Sequence, residues 1–244
     1  EKYIQFWENV QKKGECMSTE EKQNFQTSRD SDSTIIYPKN EKEVSENIKE
    51  FYKLNIPTEI VGLGSKREIG KPLQCAKTLN FSKISGIIEY FPEELYIKVK
   101  ACTPIREIEE KLKKNKQQLA FEPIDFGYMF TGKSNYGSAG GQVACNISGP
   151  RRFKVGAIRD HVLGFRGVNG KGQIIKSGGT VVKNVTGYDL SKLICGSYGT
   201  LVALTEITFK VLPAPEESKT LVVHNLKLES ATYLLDQAIS SSFD

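Results

Sequence analysis

The 244-residue chain is poor in the residues that carry most acid–base, metal and crosslinking chemistry, with two histidines, five cysteines, two methionines and one tryptophan. The cysteines (Cys16, Cys75, Cys102, Cys145, Cys195) are odd in number, widely spaced and form no C-x-x-C pair. That excludes a zinc ribbon, an iron–sulfur ligand set and a disulfide framework, and it suits a reducing compartment. The histidines, His161 and His224, have no Cys or Asp at a spacing that would suggest a hydrolytic triad or a histidine metal site. His161 lies in an apolar run from Ile158 to Phe165, which predicts a packed residue on a strand. No stretch approaches 18 apolar residues, so no membrane-spanning helix is expected. Glu1 to Asn9 lack the basic-then-apolar pattern of a signal peptide, although the chain opens without Met, which leaves open a segment lost before it.

Glycine is nearly missing from both ends. One glycine, Gly14, precedes residue 62 and none follows Gly199, so twenty of the 21 lie between, sixteen of them from Gly127 onward. This clustering has no three-residue period, which excludes collagen, and its interleaved apolar segments exclude a flexible linker. A folded core with many close backbone approaches is what remains. Charge is also local. Residues 151–176 hold seven bases (Arg151, Arg152, Lys154, Arg159, Arg166, Lys171, Lys176) against Asp160, whereas the whole chain is only +5. No aromatic-interleaved or helix-turn-helix pattern accompanies these bases, so nucleic acid is not the expected partner. Cofactor phosphates or a solvated face suit them better.

Periodicity divides the chain at residues 33 and 213. Residues 1–33 are polar and read as an N-terminal arm, with a short helix around Tyr3 to Val10. Thr34 to Pro38 predicts a strand, and Asn40 with Glu43 predicts a capped helix bearing Val44, Ile48, Phe51 and Tyr52 on one stripe. Pro57 to Val61 is a second strand that runs into Gly62-Leu63-Gly64-Ser65-Lys66. Leu95 to Val99 alternates as a strand; Thr103 as cap and Pro104 at the first helical position open another helix. His161 to Val168 and Gly172 to Lys176 read as strands about an Asn169-Gly170 turn, Asp189 to Ile194 as a short helix, and Ile207 to Val211 as a last strand. Helices and strands mix without a regular repeat, which predicts an α+β fold. After Pro213, Leu221 to Val223 read as a strand and Ala231 to Ile239 as a helical stripe. Thirty-one residues cannot enclose a core, so 214–244 look like the beginning of an incomplete C-terminal substrate or cap domain.

Three motifs carry chemistry. Gly127-Tyr-Met-Phe-Thr-Gly-Lys133-Ser134 matches the phosphate loop of nucleoside triphosphatases, G-x-x-x-x-G-K-[ST]. That loop needs a helix starting at its lysine, and the three glycines of Gly137 to Gly141 oppose one. Gly62 to Lys66 follows a strand directly and can form an anion nest, though G-x-G-x-x-G fails because the sixth position is Arg67; an anion site and a plain turn both fit. Gly137 to Gly149, rich in small residues, suits either a flat extended ligand or a tight strand–helix crossing. Arg151-Arg152 directly afterwards would suit a phosphate or carboxylate.

Taken in order, Gly62 to Lys66, Gly137 to Arg152, Arg159 to Gly164, Gly179 to Leu190 and Gly196 to Leu201 resemble the flavin-binding domain of the vanillyl-alcohol oxidase/p-cresol methylhydroxylase family, over about residues 34–213. Gly149-Pro-Arg-Arg152 with Arg159-Asp160 and Lys183-Asn184 is most similar to the FAD-binding subunits of bacterial glycolate oxidases. The resemblance implies an α+β domain of two α/β subdomains gripping extended FAD, followed by the start of a cap domain. It implies that Gly62, Leu63, Gly64, Ser65 and Lys66 wrap the diphosphate. Pro123, Gly137, Ser138, Gly140, Gly141, Asn146 and Arg151 would contact the phosphates, ribityl chain and flavin edge. Lys183, Asn184 and Tyr188 would frame the flavin, and Leu201 would offer its backbone near the adenine. Some relatives tether FAD through a histidine where Ser65 stands here, so the expected FAD is non-covalent. Flavin supplies hydride chemistry, so few protein catalytic groups are needed; the catalytic residue is unassigned and no metal is expected. The implied activity is oxidation of a small 2-hydroxyacid beside a second flavin subunit and an iron–sulfur subunit. The expected location is the cytoplasm, or the inner-membrane periphery through those partners. A stand-alone 2-hydroxyacid dehydrogenase and a non-catalytic flavin-binding structural subunit are the alternatives.

Overall fold

The computed structural model describes residues 34–67, 69, 73–131, 134, 137–180 and 188–241. The expected N-terminal helix around Tyr3 therefore lies outside the described residues. The chain divides into two compact units, Glu1–Pro213 and Ala214–Asp244.

The first unit opens with β1 (Thr34–Ile36), α1 (Glu41–Lys53), β2 (Thr58–Val61) and β3 (Lys77–Asn80). These strands form a parallel sheet in the order β1-β3-β2, with Ile36 beside Leu79 and Val61 beside Asn80. Helix α1 starts as the sequence predicts: Asn40 Oδ1 accepts from the Glu43 N–H at 3.0 Å, and the Glu43 carboxylate accepts from the Lys39 N–H at 2.8 Å. Its apolar stripe buries Val44 and Phe51.

The second sheet is antiparallel, in the order β4 (Ile87–Phe91), β5 (Tyr96–Lys100), β9 (Val202–Lys210), β7 (Val162–Asn169) and β8 (Ile174–Gly178). Helices α2 (Ile105–Lys113), α4 (Ala139–Cys145), α6 (Ile158–His161) and α7 (Leu190–Ile194) contribute to one core with this sheet, centred on Ile97, Ile108, Phe121, Val143, Ile207 and Phe209. A second core joins Val44, Phe51 and Leu79 of the parallel sheet and its helix to Val168 and Ala203 of the antiparallel one. Polar contacts reinforce that junction. Glu41 accepts from Arg166 Nη2 at 2.5 Å and from Thr205 Oγ1 at 2.7 Å, and the buried Ser45 hydroxyl donates to Gly172 O at 2.6 Å.

Several local expectations are corrected. Thr103 does not cap α2: its hydroxyl accepts from the Gly86 N–H and donates to Lys100 O, and Pro104 takes the cap position instead. Asn169-Gly170 is not a two-residue turn. Asn169 Oδ1 accepts from the Lys171 and Gln173 N–H groups, and Gly172 takes the left-handed φ of +74°. His161 ends a helix rather than lying in a strand, because the Asp160 carboxylate caps the Ala157 N–H and starts a helical turn. In the second unit, Leu221 to Val223 form no ladder with any described residue, since a lone extended segment needs a partner strand. Its helix, α8 (Leu228–Ser240), carries the expected stripe with Leu234, Leu235 and Ile239 exposed. Of the short elements, β6 (Gln117–Gln118) pairs with β10 (Leu212–Pro213), and α3 (Phe126–Thr131) and α5 (Arg152–Val155) precede α4 and α6.

His161 is 2% exposed, its Nε2–H donating to Val155 O at 2.9 Å while Nδ1 is buried without a partner. Burial pushes its pKa below the ordinary histidine value of 6.5, reinforced by the Lys210 charge and opposed by Val155 O, Asp160 and the Lys210 backbone. Acidification therefore charges the unfolded chain first. Stability from this site is complete above the ordinary histidine value and declines as pH falls below it. Urea unfolding of wild type and His161→Gln across that range is expected to show a shallower acid-side loss in the variant; parallel curves would refute this.

Candidate functional site

Strand β2 ends at Val61 and delivers Gly62 to Lys66 against the turn that leads into α4. The approach is too close for side chains. A Cβ on Gly62 would lie 2.5 Å from Ser138 Oγ and 3.6 Å from Cys102 Sγ. A Cβ on Gly137, which has φ +77°, would collide with Ser65 Oγ and come within 3.2 Å of Lys66 Nζ. Thus Gly62, Ser65, Lys66, Gly137 and Ser138, from segments more than 70 positions apart in sequence, form one cradle in which glycine backbone meets serine and lysine side chains.

Ser138 caps α4, its Oγ accepting from the Gly141 N–H at 3.3 Å. Gly140 and Gly141 are helical, contrary to the expectation that glycines there oppose a helix. The reason is packing: the Gly140 N–H donates to Ala101 O at 2.7 Å, and a Cβ on Gly140 would sit 3.0 Å from the same oxygen. Tertiary contact here outweighs a propensity cost of about 1 kcal/mol per glycine. Gly140 thus makes a tight strand–helix crossing, with its N–H committed to that crossing.

Lys66 brings a cation into the cradle. Its Nζ is 3.3 Å from Ser65 Oγ and stands over the Phe126 ring, 5.7 Å from its centroid. Burial lowers its pKa, while Cys145 and Asp125 nearby pull it upward. Asp125 also starts α3, accepting from the Tyr128 N–H at 3.1 Å and the Ser134 hydroxyl at 2.8 Å. Helix α3 therefore occupies the interior of the G-x-x-x-x-G-K-S motif, where a phosphate loop requires open N–H groups ahead of a helix. Gly132 and Lys133 lie outside the described residues.

Asn146 ends α4 in the left-handed conformation, and its Oδ1 is buried without a partner. The Gly196 and Tyr198 N–H groups donate to Val143 O and Ala144 O, docking the Gly196–Gly199 turn on the end of α4. That turn leads to Leu201, which lines a cavity of about 410 Å³ with Phe51, Pro57, Ile60 and Val168. Pro123 is half-buried next to Glu122, whose carboxylate accepts from the Arg151 N–H at 2.9 Å. Leu63 and Gly64 complete the first loop, Leu63 exposed and Gly64 at φ +74°. Tyr188 is 91% exposed, and no described contact brings it to the cradle. Lys183 and Asn184 lie outside the described residues. Sequence reasoning singled out none of Glu122, Asp125 and Gln142, which hold the neighbouring segment from Phe121 to Asp125; Glu122 and Asp125 belong to no recognisable motif, and Gln142 lies in the Gly137–Gly149 block without having been assigned a role.

The profile of the FAD binding domain family matches residues 33–178. The chain belongs to this family. It is 42% identical over 176 residues to glycolate oxidase subunit GlcE of Escherichia coli (strain K12), covering 72% of this chain and 48% of that protein. Glycolate oxidase subunit GlcD of Bacillus subtilis (strain 168) is 31% identical over 85% of this chain and 43% of its own length. A D-lactate dehydrogenase of Anaerostipes hadrus is 33% identical over 65% of this chain and 32% of its own. The chain thus spans less than half the length of these relatives. Among solved structures, an alkyldihydroxyacetonephosphate synthase superposes with a TM-score of 0.59 at 23% identity, over 75% of this chain and 34% of that one, which supports the fold. The α+β flavin-domain fold expected from the sequence is therefore the fold observed. FAD suits the residues present: Gly62 and Gly137 let two polar loops close on each other, Lys66 supplies positive charge, and Asn146 Oδ1 is buried with no protein donor. Among the described residues no group of three or more His, Cys, Asp or Glu could hold a metal ion.

Gly62→Ala is expected to force Ser138 away from β2, lowering the melting temperature by several degrees and abolishing FAD uptake. Thermal unfolding and flavin absorbance after desalting read the two effects; a variant that retains FAD would show the approach to be dispensable.

Proposed function

We propose that this chain is the FAD-binding part of a 2-hydroxyacid oxidoreductase and holds its FAD non-covalently. The observation that carries the reading is the meeting of Gly62–Lys66 with Gly137–Ser138 around Lys66. Backbone flanking a partly buried ammonium suits a diphosphate, which needs close donors and compensating charge. Asn146 would offer its free amide oxygen to a donor on the cofactor, and the cavity beside Leu201 would take the adenine end. Pro123, Arg151 and the Asp125–Phe126 turn would border the flavin end. Ser65 stands in the first loop and the described His161 is buried in the core, so no histidine from this unit would tether the cofactor. Bound FAD supplies the hydride acceptor; the chain binds it, orients it and excludes water.

The substrate class follows from the relatives, a glycolate oxidase subunit and a D-lactate dehydrogenase among them. GlcE and GlcD are both named as glycolate oxidase subunits, which supports a multi-subunit assembly; a second flavin subunit would be one member of it. An iron–sulfur partner would then carry electrons onward. No helix among the described residues is long and apolar enough to cross a membrane. Association with the inner-membrane periphery would come through such partners. Residues 214–244 would begin the substrate domain, and no catalytic base is assigned.

FAD titration followed by flavin fluorescence tests the reading, and failure to take up FAD would sink it. Lys66→Met is expected to weaken binding about tenfold or more, the scale of one charge-assisted hydrogen bond. Because burial holds the Lys66 pKa below its ordinary 10.5, wild-type affinity should fall with rising pH earlier than an ordinary lysine predicts, while Lys66→Arg stays flat. Anaerobic glycolate or D-lactate separates the roles. Flavin bleaching by the full-length chain alone supports a stand-alone dehydrogenase, bleaching only with partners a subunit, and none a structural role.

A further inference from the structure

The segment from Phe121 to Asp125 links the main core to the turn beneath Lys66, and it is gripped from two sides. Glu122 has φ +51°, a left-handed conformation that a glutamate occupies only at a cost. Two N–H donors hold it there: Arg151 N donates to Glu122 Oε2 at 2.9 Å, and Gly149 N to Phe121 O and Glu122 O at 3.0 and 2.9 Å. Gly149 is required by the same contact, since a Cβ there would lie 2.5 Å from Glu122 Cβ. From α4, the fully buried Gln142 donates through Nε2 to Ile124 O at 3.1 Å. At the end of this strap Asp125, and just after it Phe126, face Lys66. Phe121 is anchored in the core against Phe209, with ring centroids 5.8 Å apart.

A strained residue persists when its surroundings over-determine it, and such residues cluster where geometry serves a ligand. Leu95, Lys116 and Glu122, all at positive φ, each close a turn through an N–H donated three residues back, Leu95 between β4 and β5 and Lys116 after α2. Glu122 differs in that its side chain, its carbonyl and its neighbour Ile124 are each fixed by a separate partner. We propose that Glu122 is a positioning residue for the cofactor. Its carboxylate and left-handed backbone clamp the strap to Gly149–Arg151, which sets where Pro123 and the Asp125–Phe126–Lys66 cluster meet bound FAD. This rests on the FAD-binding reading above.

The test compares full-length wild type with Glu122→Gln, Glu122→Ala and Glu122→Gly by FAD titration, visible circular dichroism of the bound flavin and thermal unfolding. Gln keeps an oxygen for Arg151 N and is expected to bind FAD as wild type does. Ala and Gly remove it, and the dissociation constant should rise about tenfold with a changed flavin dichroism band. Gly also relieves the backbone strain, so its melting temperature should stay near that of wild type while its affinity falls. That divergence is the signature of positioning, and the Gly variant supplies it even if Ala does not fold. Unchanged affinity and dichroism in Glu122→Gly would overturn the proposal, as would losses in all three variants that follow their melting temperatures. Wild type that takes up no FAD would instead refute the functional reading, and this inference with it.

Discussion

The architecture turns on one steric condition: where the chain leaving β2 meets the chain entering α4, glycine on one side must receive a serine side chain from the other. Gly62 lies where a Cβ would reach Ser138 Oγ, and Gly137 lies where one would reach Ser65 and Lys66. Contact at that distance requires that one partner have no Cβ, and it forms a wall of glycine main chain set against serine and lysine side chains. Backbone N–H groups cannot rotate away or titrate, so such a wall holds its polarity wherever the surrounding sheets hold their place.

Both sheets supply that rigidity. The parallel sheet sets the direction of β2, and the antiparallel sheet carries α4 through Ala101, whose carbonyl binds the Gly140 N–H. The two sheets are locked by a shared core containing Val44, Leu79, Val168 and Ala203. Glu41 adds a polar tie to Arg166 and Thr205 at the same junction. The apolar contacts carry more of this coupling. The Arg166 side chain is about a third exposed, and solvent-screened pairs contribute little, whereas each fully buried aliphatic side chain stabilises by about 1.5–3 kcal/mol.

Charge follows the same division. Of the basic residues clustered after Gly149, Arg166 serves the sheet junction, and Arg151 meets Glu122 through its backbone N–H. The cation that enters the cradle is Lys66, from outside that cluster. Lys66 is the partly buried lysine beside Gly137, so the proposed diphosphate site draws its charge from outside the basic run.

Much of the fold was legible in the sequence because it rests on local rules. Asn40 and Glu43 announce α1, the stripe of Val44 and Phe51 gives its buried face, and β2 is readable from its apolar run into Gly62. Errors arose where a distant partner overrides local preference: Gly140 is helical because Ala101 receives it, and Thr103 abandons its cap for Gly86. Leu221 to Val223 lacked a partner and formed no strand. For the site, the glycine blocks and the flavin family were readable, since spacing and residue type survive in one dimension. Which atoms meet was decided only in the tertiary structure: Gly62 upon Ser138, Lys66 over Phe126, and Glu122 beneath Arg151. Those contacts join residues far apart in the chain, and their distances depend on how two independently predictable sheets pack.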